Sequence, residues 1–350
     1  MPGFSLDKVF SNRHERRTIV SPSMRPSVYQ LPGSRRRADL RRALLSWYDK
    51  NHRDLTWRKT RDPYRVWISE IMLQQTRVSV VILRYEQFLQ RFPSVQKLAA
   101  ARESSVLAEW SGLGYYRRAR NLCAAAKLLA SEGKFPCAAE GWRALPGIGR
   151  YTAAAISSIA FGEPVAVVDG NVERVLRRLL AWTPPEKELW STAQKLLDRE
   201  RPGDFNQAMM ELGATVCLPG QPLCSACPIR KFCRTQGRGA VESRKSRQQR
   251  RKVTYALAVS KHSVRLVHRR ATASLMAGMW ELPEVKRPSA SDEIMHSLRH
   301  SITVTNFEVN VIKRRRALGQ NGQWVGILRL GSLPLTGLAK KILRTAGIIQ

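Results

Sequence analysis

The stretch ALPGIGRYTAAAI, residues 144–156, joins a tight turn to the start of a helix. The turn PGIG, residues 146–149, has almost no side-chain bulk, so the backbone N–H groups at the N-terminus of the following helix stay exposed. The helix dipole favours an anion at that end. The pattern therefore predicts a helix-hairpin-helix whose Gly147 and Gly149 bind one nucleic-acid phosphate without reading a base.

The charge of the whole chain indicates the same kind of partner. Its 350 residues carry a formal net charge of +33 and a pI near 11.0, and such a surface attracts polyanions, of which nucleic acid is the usual soluble one. An anionic membrane surface and a basic surface that serves only solubility are the alternatives. No run of about 18 apolar residues is present, so we expect no membrane-spanning helix.

The sequence pattern divides the chain into four regions. Residues 1–37 hold eight Lys and Arg against two acids without apolar periodicity, so we expect a disordered basic arm, with a targeting peptide as the alternative. Residues 38–235 repeat the 3.6-residue period and predict an all-α domain. Residues 236–250 are a basic linker, and residues 251–350 predict an α+β domain. Its predicted strands are VTYALAVS, HSVRLVHR, ITVTNFEVNVIKRR and QWVGILRL, and its predicted helix is AKKILRTAG.

Four cysteines lie close together in CLPGQPLCSACPIRKFC, residues 217–233. They are Cys217, Cys224, Cys227 and Cys233. Their spacings of six, two and five residues form one compact loop, which suits a 4Fe-4S cluster better than structural zinc, whose ligands usually form two pairs joined by a long arm. Disulfides would require an oxidising compartment. We therefore predict a 4Fe-4S cluster, with zinc and disulfides as the alternatives.

A carboxylate stands at the start of a further predicted helix, at Asp169 in VVDGNVERV. It follows an apolar stretch and lies 20 residues after Gly149, a position that would let it face a cleft. The alternative is a simple N-cap of that helix, with Val172 and Glu173 in the first turn.

Six motifs occur in a fixed order from about residue 40 to 235. They are DPYRVWISEIMLQQTRV, WSGLGYYRRARNL, ALPGIGRYTAAAI, VVDGNVERVL, PGDFNQAMMELGATVC and the cysteine loop. This order resembles the helix-hairpin-helix DNA glycosylases of the endonuclease III superfamily, and in detail the MutY-type adenine DNA glycosylases. LMAGMWELPE and LTGLAKKIL extend the resemblance to the C-terminal region. The resemblance implies an all-α helix-hairpin-helix glycosylase domain with an iron–sulfur loop, plus a C-terminal α+β MutT/Nudix-like domain.

The chemistry of such an enzyme needs two carboxyl groups. Adenine leaves C1′ poorly unless it is protonated, and the remaining sugar resembles an oxocarbenium ion, so the site needs an acid and an anion. The resemblance implies that Glu70 protonates adenine N7 and later helps water to add, while Asp169 stabilises or transiently captures the sugar cation. An exposed position on an amphipathic helix is the alternative for Glu70. Its apolar neighbours in VWISEIML instead favour burial and a raised pKa.

The tyrosine after the hairpin bears on what happens to the DNA strand. In the lyase branch of this superfamily the position that matches Tyr151 is a lysine, which attacks C1′ and cuts the strand through a Schiff base. Tyrosine cannot form that imine. The resemblance therefore implies a monofunctional glycosylase that leaves an abasic site, with the Tyr151 hydroxyl near the sugar cation and Asn171 as an active-site hydrogen-bond donor.

The resemblance also assigns residues to base recognition. The family's pocket for the flipped adenine is matched by Arg53, Trp57, Arg58, Leu73 and Gln207. The residues that fill the vacated stack and contact the opposite base are matched by Gln75, Thr76, Leu113 and Tyr115. Core positions for Leu73 and Trp57, and phosphate contacts for the arginines, are the alternatives.

The C-terminal region departs from its family at one loop. The acidic box of Nudix hydrolases is missing, so the resemblance implies a module that binds 8-oxoguanine without hydrolysing it. The family's Phe-Ser-His loop is here Ile302-Thr303-Val304, which keeps the hydroxyl of Thr303 and loses the imidazole. We predict that the preference for 8-oxoguanine over guanine survives in weakened form, with a shifted loop that uses Thr305 or Asn306 as the alternative.

Together these inferences predict a monomeric base-excision-repair enzyme that removes adenine opposite 8-oxoguanine or guanine from double-stranded DNA, with no membrane partner. We expect it in the bacterial cytoplasm with the nucleoid, or in an organelle or the nucleus of a eukaryote. A thymine or uracil glycosylase could share Tyr151 and Asp169 but would not be expected to carry Glu70 or the second domain. A DNA-binding iron–sulfur protein without enzymatic activity is the other alternative, and the two carboxylates argue against it.

Overall fold

A computed structural model describes residues 33–182, 185–238, 249–270, 272–273, 276–302, 305–314 and 322–349. Most of the predicted N-terminal arm, most of the predicted linker and Thr303 with Val304 lie outside the described residues. No helix in the described ranges is both long and apolar enough to cross a membrane.

The first part of the chain is helical, as the 3.6-residue period predicts. Its helices are α1 (Ser34–Asn51), α2 (Pro63–Leu73), α3 (Val78–Arg91), α4 (Val95–Ala100), α5 (Glu103–Glu109), α6 (Arg117–Glu132), α7 (Ala139–Arg143), α8 (Arg150–Phe161), α9 (Gly170–Leu180), α10 (Glu186–Leu196) and α11 (Pro202–Thr215). Helix α1 begins at Ser34, so residues 34–37, which we assigned to the disordered arm, form its first turn. Arginine is a good helix former, and this turn continues the helix that Leu40 and Leu44 anchor in the core.

Helices α2 and α8 form the centre of this helical region and pack against each other. Eight of the 11 residues of α2 and eight of the 12 residues of α8 are buried, which is the pattern of a helix that is covered on most sides. Helix α11 packs on α8 and α9, and two glycines allow the close approach. A Cβ at Gly203 would lie 2.7 Å from the carbonyl oxygen of Ser158, and one at Gly213 would lie 2.6 Å from the Asn171 Cβ.

A buried asparagine fixes the chain segment that leads into α9. The Asn206 side chain donates to Ser158 Oγ and to the Val165 carbonyl oxygen, both at 2.9 Å, and accepts from the Val167 backbone N–H at 3.1 Å. These bonds satisfy the backbone of an extended segment inside the core, where an unpaired polar group would be costly. They hold the segment that ends at Asp169.

The C-terminal region is a small sheet domain with its own core. Its strands are β1 (Gln249–Leu257), β2 (Ser263–His268), β3 (Trp280–Glu281), β4 (Ile294–Ile302), β5 (Thr305–Lys313) and β6 (Gly322–Gly326), and its helix is α12 (Gly337–Thr345). One sheet has the order β1-β5-β4 and the other β3-β2-β6. Strands β1 and β5 are parallel, and the other pairs are antiparallel. Apolar side chains from both sheets and α12 surround Leu266, Val311 and Ile342.

Two predicted strands differ from the structure. The stretch ITVTNFEVNVIKRR is not one strand, because β4 ends at Ile302 and β5 begins at Thr305. Strand β4 itself was missed, since it pairs only with β5 and its sequence IMHSLRHSI has polar residues on both faces. In QWVGILRL only Gly322–Gly326 is strand, and a 3-10 helix over Ile327–Ser332 follows, which buries Leu330 completely.

The two regions contact each other directly. Ser111 Oγ donates to the Leu335 carbonyl oxygen at 2.8 Å, and both residues are buried. The Arg120 guanidinium donates to the Ala277 carbonyl oxygen, and Met279 is part of the helical core. The sheet domain therefore lies against the loop that joins α5 to α6.

Candidate active site

One cavity of about 550 Å³ in the helical region brings most of the predicted site residues together. The predicted residues in its lining are Arg53, Trp57, Arg58, Glu70, Leu73, Gln75, Thr76, Tyr151, Asp169, Asn171 and Gln207. They come from chain segments as far apart as residues 53 and 207, so only the fold makes them neighbours. Its volume lies within the usual range for small-molecule sites.

Glu70 lies in the last turns of α2 and is 6% exposed. The pKa of its carboxyl group is raised to about 7, chiefly by burial. A hydrogen bond from Tyr151 and the charge of Arg58 lower this pKa, and the charge of Asp169 raises it. A carboxyl group with a pKa of about 7 is protonated in about half of the protein molecules at neutral pH. Glu70 is thus buried, and the alternative of an exposed acid on an amphipathic helix is wrong. Its carboxyl group can act as a general acid.

Tyr151 lies in the first turn of α8, directly after the hairpin. Its hydroxyl donates to Glu70 Oε2 at 2.9 Å and lies 3.1 Å from the Met210 sulfur. Burial raises the pKa of this phenol well above its usual value, and the neighbouring Glu70 carboxyl adds to that shift. Tyr151 is therefore a neutral donor that fixes the orientation of the Glu70 carboxyl.

Asp169 is both an N-cap and a cavity residue. Its Oδ1 accepts from the backbone N–H groups of Asn171 at 2.9 Å and Val172 at 2.7 Å, and its Oδ2 accepts from Asn171 Nδ2 at 2.9 Å. The simple N-cap alternative is thus correct as local structure, yet the same carboxylate lines the cavity beside Glu70 and Tyr151. Capping fixes the carboxylate in place.

A chain of hydrogen bonds joins Asp169 to the cysteine loop. Asn171, which binds Asp169, accepts from Arg174 Nη2 at 2.8 Å through its Oδ1. Arg174 Nε donates to the Cys217 carbonyl oxygen at 2.8 Å, and its Nη2 also donates to the Gly213 carbonyl oxygen at 2.7 Å. The position of the carboxylate therefore depends on the fold of the loop more than 40 residues later in the chain.

Glu211 is a cavity residue that the sequence analysis missed. Its carboxylate is fully buried and accepts from Arg53 Nε at 2.8 Å, from Arg53 Nη2 at 2.7 Å and from Arg58 Nη2 at 2.7 Å. Burial would raise the pKa of Glu211, but the hydrogen bonds from Arg53 and Arg58 outweigh it and hold the pKa at about 2. The signal was an acid in the apolar stretch AMMELGA, four residues after Gln207, where an unpaired buried carboxylate would be costly.

This ion cluster fixes the orientation of the two arginines. Arg53 and Arg58 point to Glu211 inside the cavity, and Arg58 also lies over the Tyr48 ring, 5.6 Å from its centre. Both arginines line the cavity, and the Arg58 side chain is 10% exposed while that of Arg53 is 38% exposed. Trp57, in contrast, satisfies both expectations, because it lines the cavity and packs edge-on against Tyr85 in the core.

The residues expected at the opposite base lie in two adjoining loops. Gln75 and Thr76 line the cavity, whereas Leu113 and Tyr115 lie beyond its edge. Thr76 Oγ1 donates to the Leu113 carbonyl oxygen at 3.2 Å, which joins the loops. The Leu113 side chain is buried, and the Tyr115 side chain is 41% exposed. Thr303, the other residue of this group, lies outside the described residues.

The hairpin has the backbone that an anion site requires. Gly147 has a φ of +77°, and a Cβ there would lie 2.5 Å from the Asn121 side chain, so only glycine fits. Gly149 is the N-cap of α8, has no side-chain cap and has open space where a Cβ would lie. The first N–H groups of α8 are thus left to an external acceptor.

The four cysteines of the loop line one pocket next to α9. All four are free, and Arg178 Nη1 donates to the Cys217 sulfur at 3.3 Å. Burial raises the pKa of Cys227 to about 11, and the three neighbouring thiols raise it further. Over the described ranges, no three His, Cys, Asp or Glu side chains are grouped to hold a metal ion. The loop therefore gathers the sulfurs around a common space rather than at one point.

Solved structures define the class of this fold. A thermostable thymine-DNA glycosylase is 30% identical, with a TM-score of 0.55 over 58% of this chain and 97% of that one. A trapped endonuclease III–DNA covalent intermediate gives a TM-score of 0.52 over 59% of this chain and 98% of that one, and at 24% identity it supports the fold alone. The helical region thus has the fold of the helix-hairpin-helix DNA glycosylases.

The family follows from the sequence comparisons. Residues 68–199 match the HhH-GPD superfamily base excision DNA repair proteins, and the chain belongs to this superfamily. Curated relatives are adenine DNA glycosylases, which confirms the MutY-type resemblance. The Homo sapiens relative is 50% identical over 57% of this chain and 39% of its own length, and that of Buchnera aphidicola from Acyrthosiphon pisum is 41% identical over 55% and 58%. The chain spans about half the length of these relatives, or less.

Proposed function

We propose that this protein is an adenine-specific DNA glycosylase that hydrolyses the N-glycosidic bond of adenine opposite 8-oxoguanine or guanine and leaves an abasic site. The observation that carries the proposal is the placement of Glu70, Tyr151 and Asp169 in one cavity. An acid with a pKa of about 7 beside a capped carboxylate is the pair that a glycosidic cleavage through a cationic sugar requires.

Each group has a defined step. The flipped adenine enters the cavity, where Glu70 gives its proton to the base, and the N-glycosidic electron pair leaves with the protonated base. The Asp169 carboxylate stabilises the positive charge left on the sugar, and water then adds to C1′ and loses a proton to Glu70. Tyr151 fixes Glu70 and offers no amine, so no Schiff base forms and the strand stays intact.

Base recognition falls to the polar wall of the same cavity. Arg53, Arg58 and Glu211 form a rigid array of donors and acceptors, with Gln207 one helical turn before Glu211. A purine edge that matches this array gains hydrogen bonds, and a base that does not match leaves buried groups unpaired, which is the stronger source of selectivity.

The cysteine loop fits a 4Fe-4S cluster in the chemistry of its donors. Four thiols surround one pocket, and Arg178 Nη1 donates to the Cys217 sulfur. Such a cluster would be held by Cys217, Cys224, Cys227 and Cys233. Through Arg174 and Asn171 it would fix the position of Asp169. Protein purified without reconstitution should be brown and contain about four irons per chain, and stoichiometric zinc without iron would contradict the assignment.

The C-terminal sheet domain is proposed to be a MutT-like module that contacts the base opposite adenine. It lies against Ser111, next to the loop that carries Leu113 and Tyr115. The partner is double-stranded DNA, which a net charge of +33 attracts, and the protein acts as a monomer away from membranes.

The direct test uses duplexes with adenine opposite 8-oxoguanine, guanine or thymine, followed by alkali to reveal abasic sites. We expect cleavage after alkali for the first two and no strand cleavage without it. A second candidate, removal of thymine opposite guanine, is favoured by the likeness to a thymine-DNA glycosylase. A thymine:guanine duplex is therefore included, and activity on it alone would replace the proposal. Borohydride should trap no covalent adduct on any duplex.

A further inference from the structure

Arg118 binds two chain segments, residues 71–76 and residues 113–114, that lie far apart in the sequence. It lies in the second position of α6, directly after the loop that carries Leu113 and Tyr115. Its Nη1 donates to the carbonyl oxygens of Ile71 at 2.6 Å and Met72 at 2.9 Å. These carbonyls belong to the last turn of α2, where a helix leaves its acceptors without intrahelical partners. They follow Glu70 by one and two residues.

The other end of the same guanidinium holds the loops. Arg118 Nη2 donates to Thr76 Oγ1 at 2.9 Å, to the Leu113 carbonyl oxygen at 3.0 Å and to the Gly114 carbonyl oxygen at 3.3 Å. The guanidinium also lies 5.5 Å from the centre of the Tyr115 ring. The Arg118 guanidinium therefore contacts the C-terminal end of α2, which carries Glu70, and also the loops that carry Thr76 and Tyr115.

Both loops need such support because both contain strained backbone. Gln75 has a φ of +53° and Tyr115 has a φ of +46°, and non-glycine residues rarely adopt such angles. Among the described residues, no carboxylate pairs with Arg118, and its acceptors are backbone carbonyls and one hydroxyl. Its bonds thus fix loop geometry rather than neutralise a charge. Burial lowers the pKa of Arg118 to about 10, so it stays a cation at neutral pH.

We propose that Arg118 is a positioning residue that couples contact with the opposite base to the placement of Glu70, and thereby sets how strongly excision depends on that base. The inference rests on the proposed function. When the base opposite adenine moves Thr76 or Tyr115, the shared guanidinium transmits the shift to the end of α2. The four N–H groups of Nη1 and Nη2 reach these five acceptors because one N–H of Nη2 is shared, and a lysine ammonium with three N–H groups on one atom cannot span both sides.

The test compares Arg118→Met and Arg118→Lys with the matched control Arg117→Met in full-length protein. Arg117 is the adjacent, exposed residue of α6, so its replacement removes one positive charge and leaves the loops intact. Single-turnover excision is measured for adenine opposite 8-oxoguanine and opposite guanine, with the Kd for each duplex and the Tm of each variant.

We expect Arg118→Met to reduce the ratio of the two excision rates about three- to tenfold, the size of one or two net hydrogen bonds. Arg118→Lys should give an intermediate ratio, and Arg117→Met should leave the ratio unchanged. Equal slowing on both duplexes, or an unchanged ratio, would overturn the inference, because a merely structural role predicts that result. If Arg118→Met does not fold, Arg118→Lys decides by the same ratio. Wild-type protein that removes adenine from neither duplex would instead overturn the proposed function, and the inference with it.

Discussion

The helical cavity and the C-terminal sheet differ in how they hold their functional groups. In the cavity, Glu70 and Glu211 are buried, and Asp169 is held as the N-cap of α9. Each carboxyl group accepts a hydrogen bond at 2.7–2.9 Å from a protein donor. On the strands beside Thr303, the polar contacts are exposed pairs such as Ser301 with Asn306 and Ser297 with Asn310. Buried polar groups cost free energy when a partner is lost, whereas exposed pairs exchange with water at little cost. Substitutions should therefore have large effects in the cavity and small ones on the sheet.

Loss of the charge at Asp169 tests the cavity side of this comparison, and a large effect is expected for Asp169→Asn. Asparagine keeps an oxygen that can accept from the N–H groups of Asn171 and Val172, so the helix cap survives and the negative charge is lost. We expect excision to slow about 100- to 1,000-fold, the usual size of one lost electrostatic contact to a transition state. Single-turnover kinetics measures this change.

Asp62→Asn provides the matched control. Asp62 caps α2 by accepting from the Arg65 backbone N–H at 2.7 Å and does not line the cavity. Both variants should lose about 1 kcal/mol or less of stability in urea. If the two variants excise adenine equally fast, Asp169 is a cap and nothing more.

Replacing Glu211 tests whether the missed residue holds the cavity together. Glu211→Gln leaves two arginines without their buried carboxylate, and such a loss costs about 3–5 kcal/mol of unfolding free energy. Excision should also fall, since Arg53 and Arg58 lose their orientation. The control is Glu173→Gln, which breaks an exposed i,i+4 pair with Arg177 and should cost about 0.5 kcal/mol. Equal unfolding free energies for the two variants, from urea titrations, would contradict the buried cluster.

The pH dependence of excision tests the acid. The pKa of Glu70 is raised to about 7, and the protonated form is the one that donates. The excision rate should therefore be level at lower pH and fall about tenfold per unit as pH rises above 7. The Kd for the duplex is measured at each pH as a control. A rate that stays constant from pH 6 to 9 would exclude Glu70 as the proton donor.

The smallest effect is expected on the sheet. Thr303→Ala should reduce the preference for adenine opposite 8-oxoguanine over guanine by about two- to tenfold, the size of one net hydrogen bond. Asn306→Ala is the companion variant, because a shifted loop would use Asn306 instead. A preference that depends on Asn306 and not on Thr303 would reject our alignment of this loop.

Much of the helical site could be predicted from sequence, for a physical reason. Each of its main features stands out from its neighbours in the sequence itself. Glu70 and Asp169 are acids that follow apolar residues, in VWISEIML and VVDGNVERV, and the PGIG turn is a pair of glycines directly before a helix. The 3.6-residue period likewise predicted that residues 38–235 are helical, with an error of one turn at the start of α1.

What could not be predicted depends on partners distant in sequence. The role of Glu211 depends on its ion pairs with Arg53 and Arg58, which lie more than 150 residues earlier. The role of Arg118 depends on backbone carbonyls of α2, and since every residue has a backbone carbonyl, no sequence signal marks these acceptors. Strand β4 was missed because an edge strand of a small sheet has no clear apolar alternation. The local sequence pattern therefore predicts which side chains could act as acids, bases or hydrogen-bond donors, and only the fold shows which of them contact each other.

The most direct test of the account is single-turnover excision of adenine opposite 8-oxoguanine by wild-type protein and by Glu70→Gln. Glutamine keeps the shape of the side chain and can still accept from Tyr151, but it has no acidic proton. We predict that wild type leaves alkali-labile abasic sites and that Glu70→Gln binds the duplex with a similar Kd while excising adenine about 100- to 10,000-fold more slowly. Excision by Glu70→Gln at the wild-type rate would contradict the account.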